Sequence, residues 1–171
     1  MADTSMAAGA VGPYRIFGVH PGAVLAVLDV IGLGIASYLS AVELTPGGTP
    51  VCSVGGLRIG NCEDVARSSY SRPFAGIPVA VYGVFLSITL LMLALAWWRT
   101  NNYQLLLMHY GLSLVGVAFE GWFQFAQVFL IGAVCIWCEA YGISLVLRFV
   151  VALWVYMHTP KPDKVPAEEL T

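Results

Sequence analysis

The order of apolar and polar positions divides the chain into four long apolar segments separated by polar connections. These segments cover residues 23–42, 77–98, 105–128 and 133–156. Each segment holds about the 20 apolar residues that a helix needs to cross the hydrocarbon core of a bilayer. Because backbone polar groups in lipid must be satisfied within the segment itself, we expect helices. The pattern therefore predicts an all-α integral membrane protein, a single domain over residues 1–171 with a bundle of four transmembrane helices.

The connections between these segments differ in length. The second and third segments are joined by a polar turn at residues 99–102, and the third and fourth by little more than Phe129–Gly132. The first connection, residues 43–76, is long and rich in glycine, proline and serine. Four crossings put this long loop and the Gly132 turn on one side, and the tails 1–22 and 157–171 on the other. A small excess of Arg and Lys near the tails predicts cytoplasmic termini and an extracytoplasmic loop.

The overall composition agrees with a membrane protein. The chain is 58% hydrophobic and 11% charged, with a mean hydropathy of +0.79. Soluble domains carry about 25% charged residues. The net charge of −2 leaves no basic surface that could neutralise phosphates, so we exclude nucleic acid as a partner.

Four cysteines form two pairs on the side of the long loop. Cys52 and Cys62 lie in the loop, and Cys135 and Cys138 form a C-x-x-C where the fourth helix begins. The start of a helix favours a thiolate, the reactive form of cysteine. Cys138 lies about one turn, roughly 5 Å, deeper in the bilayer than Cys135. Two pairs in series suit thiol–disulfide exchange, in which one pair meets a soluble partner and the other meets the final acceptor.

Two other readings of these cysteines stay open at this point. Four thiolates could hold a zinc ion, although the loop pair lacks C-x-x-C spacing and no histidine lies near either pair, so we predict no metal. Alternatively, the disulfides could be purely structural in a four-span protein that is not an enzyme.

Several short motifs point to a known family. They are Gly32-Leu33, Ser37-Tyr38, Cys62-Glu-Asp-Val65, Ser68-Ser-Tyr70, Gly76-Ile-Pro78, Tyr82-Gly83 and Cys135-Ile-Trp-Cys138. Together, and over nearly the whole chain, they resemble the vitamin K epoxide reductase family in its bacterial branch, without a fused thioredoxin-like domain. Ser68 matches the serine that follows the loop cysteine in this family, and we expect it to support the loop or the active site.

The resemblance implies a four-helix bundle around a quinone pocket that is capped by the loop. It implies an oxidoreductase of the bacterial inner membrane that oxidises a thioredoxin-like protein and passes the electrons to a quinone of the ubiquinone, menaquinone or vitamin K type. This activity supports disulfide formation in exported proteins. Because the chain ends at Thr171, the partner is expected to be a separate protein. Animal members of the family reduce vitamin K and its epoxide, which is the alternative activity.

Further residues are candidates for the quinone site. The aromatic candidates are Phe74, Tyr82, Trp122, Trp137 and Tyr141. The family's quinone-binding asparagine is missing before Gly83, and Tyr141 falls one position short of the family's tyrosine. Ionisable residues within membrane spans are functional candidates, so Glu120 and Glu139 are expected to transfer protons. We expect Asp29 to reach the inner membrane interface.

Overall fold

A computed structural model of the chain describes residues 19–48, 50–54, 57–58, 61–73 and 75–159. Its elements, in chain order, are α1 (Pro21–Leu44), β1 (Ser53–Val54), β2 (Leu57–Arg58), α2 (Cys62–Arg67), a 3₁₀ turn (Ser69–Ser71), α3 (Val79–Thr100), α4 (Tyr103–Phe125), a π-helical continuation of α4 (Ala126–Ile131) and α5 (Ile136–His158). Four of the described helices are long and apolar enough to cross a membrane. The predicted fold class is therefore confirmed.

The helices begin and end two or three residues away from the predicted bounds. The largest differences flank the last turn, where α4 continues as a π-helix to Ile131 and α5 begins only at Ile136. Gly132 ends the π-helix with a φ of 70°, in the left-handed region that glycine adopts without strain. The segment expected to be a turn is thus mostly helical, and Cys135 lies just outside α5.

The other tight turn joins α3 to α4 and follows from two asparagines. Asn101 adopts a left-handed conformation with a φ of 50° and ends α3, a position that asparagine tolerates better than most residues. The Asn102 side chain accepts a hydrogen bond of 2.9 Å from the backbone N–H of Gln104 and so caps α4. Consecutive helices can therefore reverse direction within two residues.

The four long helices form a ring in the order α1, α3, α4, α5, in which each helix packs against two neighbours. One apolar core lies towards the ends of the helices that are far from the long loop and includes Leu25, Trp97 and Leu106. A second core lies at the opposite end and includes Cys62, Phe123 and Cys135. Large apolar side chains cover much of the outer surface, as expected for helices that face lipid.

Between the two cores the bundle contains buried charge. Asp29, His109 and Arg148 are at most 1% exposed, and the Asp29 carboxylate contacts the other two side chains. The expectation that Asp29 reaches the interface is wrong, because its partners from α4 and α5 hold it inside the bundle. Arg148 is likewise fully buried.

Candidate functional site: two cysteine pairs above an apolar cavity

The loop between α1 and α3 is closed by a disulfide between Cys52 and Cys62, whose Cα atoms are 6.1 Å apart. Between the two cysteines, β1 and β2 pair as a minimal antiparallel hairpin. Cys62 is the first residue of α2, and the backbone N–H of Asn61 donates a hydrogen bond of 2.9 Å to the carbonyl oxygen of Val134. This bond fixes the start of α2 beside the residue that precedes Cys135.

A second set of contacts holds the loop just before Cys52. The indole N–H of Trp137 donates a hydrogen bond of 2.8 Å to the carbonyl oxygen of Val51. The N–H of Val51 donates in turn to the hydroxyl of Tyr38 at 3.2 Å, and the Tyr38 and Trp137 ring centroids are 4.6 Å apart. Trp137 lies inside the C-x-x-C, so the active-site helix itself anchors the loop.

Cys135 is positioned from the opposite side by Gln127. The backbone N–H of Cys135 donates a hydrogen bond of 2.9 Å to the side-chain oxygen of Gln127, which is fully buried in the π-helix. The backbone oxygen of Gln127 also accepts from Gly132 and Ala133. A π-helical turn often marks a functional position. We did not predict a role for Gln127; a polar residue in an apolar segment next to the active-site turn was the available signal.

These anchors bring three sulfur atoms together. The sulfurs of Cys52, Cys62 and Cys135 all lie within 4.8 Å of one another. Cys62 and Cys135 are 1% and 2% exposed, whereas Cys52 is only partly buried. Cys135 and Cys138 are not bridged to each other. The loop disulfide therefore faces the first thiol of the C-x-x-C closely enough for exchange after small movements.

The surroundings of Cys135 also favour its thiolate. The Cys138 thiol, by its hydrogen bond to Cys135, lowers the pKa of the Cys135 thiol below its ordinary value. Burial opposes this effect, but the amides of Cys138 and Trp137 at the start of α5 lower the pKa further. The amides at the start of α5 are the cause that the sequence prediction named, and the Cys138 thiol lowers the pKa more than they do.

Directly below the sulfurs lies a cavity of about 310 Å³. Cys62, Cys135 and Cys138 line its upper part, and apolar side chains line most of the rest. Small-molecule sites occupy roughly 300–1,000 Å³ and are mostly apolar with a few polar groups. Val115 lines the cavity and is nevertheless 64% exposed on the outer surface of α4, so the cavity opens towards lipid.

Three of the candidates from the sequence line this cavity: Tyr82, Glu120 and Tyr141. The Tyr141 hydroxyl donates to the carbonyl oxygen of Gly83 at 3.2 Å, and the Glu120 carboxylate accepts a hydrogen bond of 3.0 Å from the side chain of Gln124. Tyr141 is thus at the cavity although its spacing departs from the family pattern by one position. The placement agrees with the predicted roles, which remain predictions.

Two polar residues that the sequence did not single out also line the cavity. One is Glu43 in the last turn of α1, whose Oε2 is buried and has no hydrogen-bond partner among the described residues. The other is Ser71, whose hydroxyl donates to the carbonyl oxygen of Val65. Glu43 directly follows the predicted first span, and a carboxylate next to the end of a span on the cysteine side was the signal that could have identified it.

The remaining candidates lie away from the cavity. Trp122 is 55% exposed on the outer surface and stacks on Phe125, because its side of α4 faces lipid. Trp137 points towards the loop rather than the cavity. The structure thus corrects the expectation that these two rings line the pocket. Glu139 is adjacent to Cys138 but does not line the cavity, and Phe74 lies outside the described residues.

Ser68 lies in the loop, one turn after α2. Its hydroxyl donates to the carbonyl oxygen of Val65 at 2.8 Å and accepts from the N–H of Ser71 at 3.3 Å. Ser68 does not line the cavity, although Ser71 does. Of the two roles considered for Ser68, its contacts agree with support of the loop.

A four-helix membrane bundle with a loop disulfide beside a C-x-x-C, and an apolar cavity beneath both, is an arrangement that suits a membrane oxidoreductase. The sequence model of the Vitamin K epoxide reductase family matches residues 23–153. The chain belongs to this family, whose members are quinone-linked redox proteins of the membrane. A search of the curated proteins found no significant match.

Proposed function

We propose that this protein oxidises the thiols of a thioredoxin-like protein outside the cytoplasm and delivers the electrons to a quinone in the membrane. The observation that carries this proposal is the cluster of sulfurs from Cys52, Cys62 and Cys135 within 4.8 Å above a cavity open to lipid. We place the protein in a bacterial inner membrane with cytoplasmic termini, which puts the loop on the side where exported proteins acquire disulfides.

The difference in burial between the loop cysteines supports an order of events. Cys52 is partly accessible, whereas Cys62 is 1% exposed and lines the cavity. A thiolate of the partner would therefore attack Cys52 and release Cys62 as the leaving thiolate. The second thiol of the partner then attacks the mixed disulfide, so that the partner leaves oxidised and the loop holds two thiols.

The next two steps move the same pair of electrons inward. Cys62 attacks Cys135 of the oxidised C-x-x-C, Cys138 leaves as a thiolate, and Cys52 then resolves the mixed disulfide, which restores the loop disulfide. The reduced pair, Cys135 and Cys138, finally gives two electrons and two protons to the quinone, forming a quinol and a disulfide. Glu120, which lines the cavity, is our candidate for moving a proton from a thiol to a quinone oxygen.

The cavity supports a quinone as the acceptor. Its walls are mainly apolar, and its polar groups include the Tyr141 hydroxyl and the carboxyl groups of Glu43 and Glu120. The opening at Val115 offers a path for a hydrophobic tail into the bilayer. A flat ring that carries two carbonyl oxygens and a lipid tail fits this combination of surfaces.

The proposal is tested with purified protein, dithiothreitol as donor and either a short-chain ubiquinone or menadione as acceptor. We expect Cys138→Ala to reduce neither quinone, because Cys135 alone cannot form the C-x-x-C disulfide that must accompany the transfer of two electrons. Full quinone reduction by Cys138→Ala would refute the assignment. Vitamin K epoxide, offered in place of the quinone, tests the alternative activity.

The partner step is tested by trapping. A thioredoxin that keeps only its nucleophilic cysteine should form a mixed disulfide with the protein, and mass spectrometry should locate that bond at Cys52. Cys135→Ala, which retains the loop disulfide, is the matched control and should give the same conjugate. A conjugate at Cys62 would contradict the order of events, and four inert cysteines would favour a structural role.

A further inference from the structure

The buried charges in the middle of the bundle are connected to one another and to the cavity. Asp29 on α1 lies 3.2 Å from His109 on α4 and 3.5 Å from Arg148 on α5, measured between the carboxylate oxygens and the side-chain nitrogens. All three side chains are at most 1% exposed. Ionisable residues within membrane spans are costly and usually mark a function.

The connection to the cavity runs through Ser87 on α3. Arg148 Nη1 donates to the Ser87 hydroxyl at 3.4 Å, and the Ser87 hydroxyl lies 3.4 Å from the hydroxyl of Tyr141. The guanidinium carbon of Arg148 is also 5.4 Å from the centre of the Tyr141 ring. Tyr141 lines the cavity one helical turn after Cys138, so a fixed positive charge stands directly behind a cavity phenol.

The guanidinium of Arg148 has little freedom to move. Its Nε donates to the backbone oxygen of Ser144 at 3.2 Å, and its Nη2 donates to the Ser144 hydroxyl at 2.9 Å. It also occupies the space beside Gly32, where any side chain would collide with it. The charge behind Tyr141 is therefore held in place before any ligand arrives.

Net stabilisation of the fold is a poor explanation for this arrangement. Apolar residues of similar volume often replace a buried ion pair without loss of stability. In a transition state that develops negative charge, by contrast, prealigned donors and charges act strongly because they need no reorganisation. A quinone oxygen develops such charge as it is reduced.

We propose that Arg148, held by Asp29, is a positioning residue that aligns the Tyr141 hydroxyl, through Ser87, as a hydrogen-bond donor to one oxygen of the quinone. This inference rests on the proposed function. Tyr141 needs to make only one movement in this proposal. Its hydroxyl hydrogen turns away from the Gly83 carbonyl and towards the quinone oxygen. Both electrons and both protons still come from the thiol pair, and Tyr141 keeps its own proton.

The test is a double-mutant cycle on quinone reduction, with dithiothreitol as donor and a short-chain ubiquinone as acceptor. We expect Tyr141→Phe to lower kcat by about 10²-fold, the scale for loss of one donor to a developing oxyanion. Ser87→Ala should lower kcat by about tenfold through misalignment of Tyr141, with little change in KM. Thr89→Ala is the control on the same helix, because Thr89 is exposed and its hydroxyl donates to the Phe85 carbonyl within α3.

The decisive readout is non-additivity. If the network acts through Tyr141, Ser87→Ala should cause no further loss in the Tyr141→Phe background, since residues that act as a unit do not add. Removing Arg148 alone leaves the buried Asp29 carboxylate beside His109 but without its guanidinium partner, so the second variant is Asp29→Asn combined with Arg148→Met, which removes both charges. This double variant should lower kcat on its own, but it should cause no further loss of kcat in the Tyr141→Phe background.

The outcomes separate this inference from the proposed function. Additive losses in the cycle, or unchanged kcat in Ser87→Ala, would overturn the positioning role while wild-type turnover still supports the proposed function. A wild-type protein that reduces neither ubiquinone nor menadione would overturn both. Exchange between the loop disulfide and the C-x-x-C, measured without quinone, should be normal in every variant, since the network lies below the sulfurs.

Discussion

Replacing Trp137 by phenylalanine removes the hydrogen bond that anchors the loop to the active-site helix and leaves a ring to pack on Tyr38. The lost bond joins the indole N–H to the Val51 carbonyl at 2.8 Å. A typical intramolecular hydrogen bond contributes about 0.5–1.5 kcal/mol, and this one, near an exposed backbone, belongs at about 0.5–1 kcal/mol. The docked loop should then be about two- to fivefold less populated relative to undocked conformations.

The consequence is a slower exchange between the two cysteine pairs, because the sulfurs meet only when the loop is docked. We expect the rate of electron transfer from the reduced loop pair to the oxidised C-x-x-C to fall by at most about two- to fivefold, a limit reached when undocked conformations predominate. The assay adds one equivalent of dithiothreitol to oxidised protein without quinone, quenches with acid, alkylates the thiols and counts them by mass spectrometry at each time.

Trp122→Phe is the matched control, since Trp122 is the same residue type, is 55% exposed on the outer surface and stacks on Phe125 of its own helix. Its exchange rate should equal that of the wild type. Quinone reduction from a C-x-x-C that has been reduced beforehand should be unaffected in both variants. An unchanged exchange rate in Trp137→Phe, or an equal decrease in the control, would show that this bond does not set the loop position.

Two further changes test the supports around the C-x-x-C and the cavity. Gln127→Ala leaves the buried N–H of Cys135 without its acceptor. We expect this change to lower the free energy of unfolding, measured in detergent, by about 1–3 kcal/mol. The control is Gln104→Ala on the exposed start of α4, which should lower the free energy of unfolding far less. Gly142→Ala would place a Cβ 2.8 Å from the Glu120 carboxylate, so we expect it to slow quinone reduction but not thiol exchange. Gly121→Ala is the control, because its Cβ would meet open space, and it should leave both rates unchanged. A normal rate of quinone reduction in Gly142→Ala would argue against a role for the Glu120 position.

The sequence alone determined the features that depend on length and order along the chain. Apolar segments of about 20 residues fix the number of crossings, because an unsatisfied backbone is too costly in lipid. Counting those crossings puts Cys52 and Cys62 on the same side as Cys135. The helix start at the C-x-x-C also follows from local sequence. These features predicted both the fold class and the meeting of the two cysteine pairs.

Tertiary structure alone decided which side of each helix faces inward. In a soluble protein the apolar side of a helix marks the core, but lipid is as apolar as the core, so the pattern leaves the inward side unmarked. Trp122 and Tyr141 therefore looked equivalent as pocket residues, although one faces lipid and the other lines the cavity. The contact of Asp29 with Arg148 joins helices that are far apart in sequence, and only the packing of the bundle, which removes both charges from lipid, brings them together.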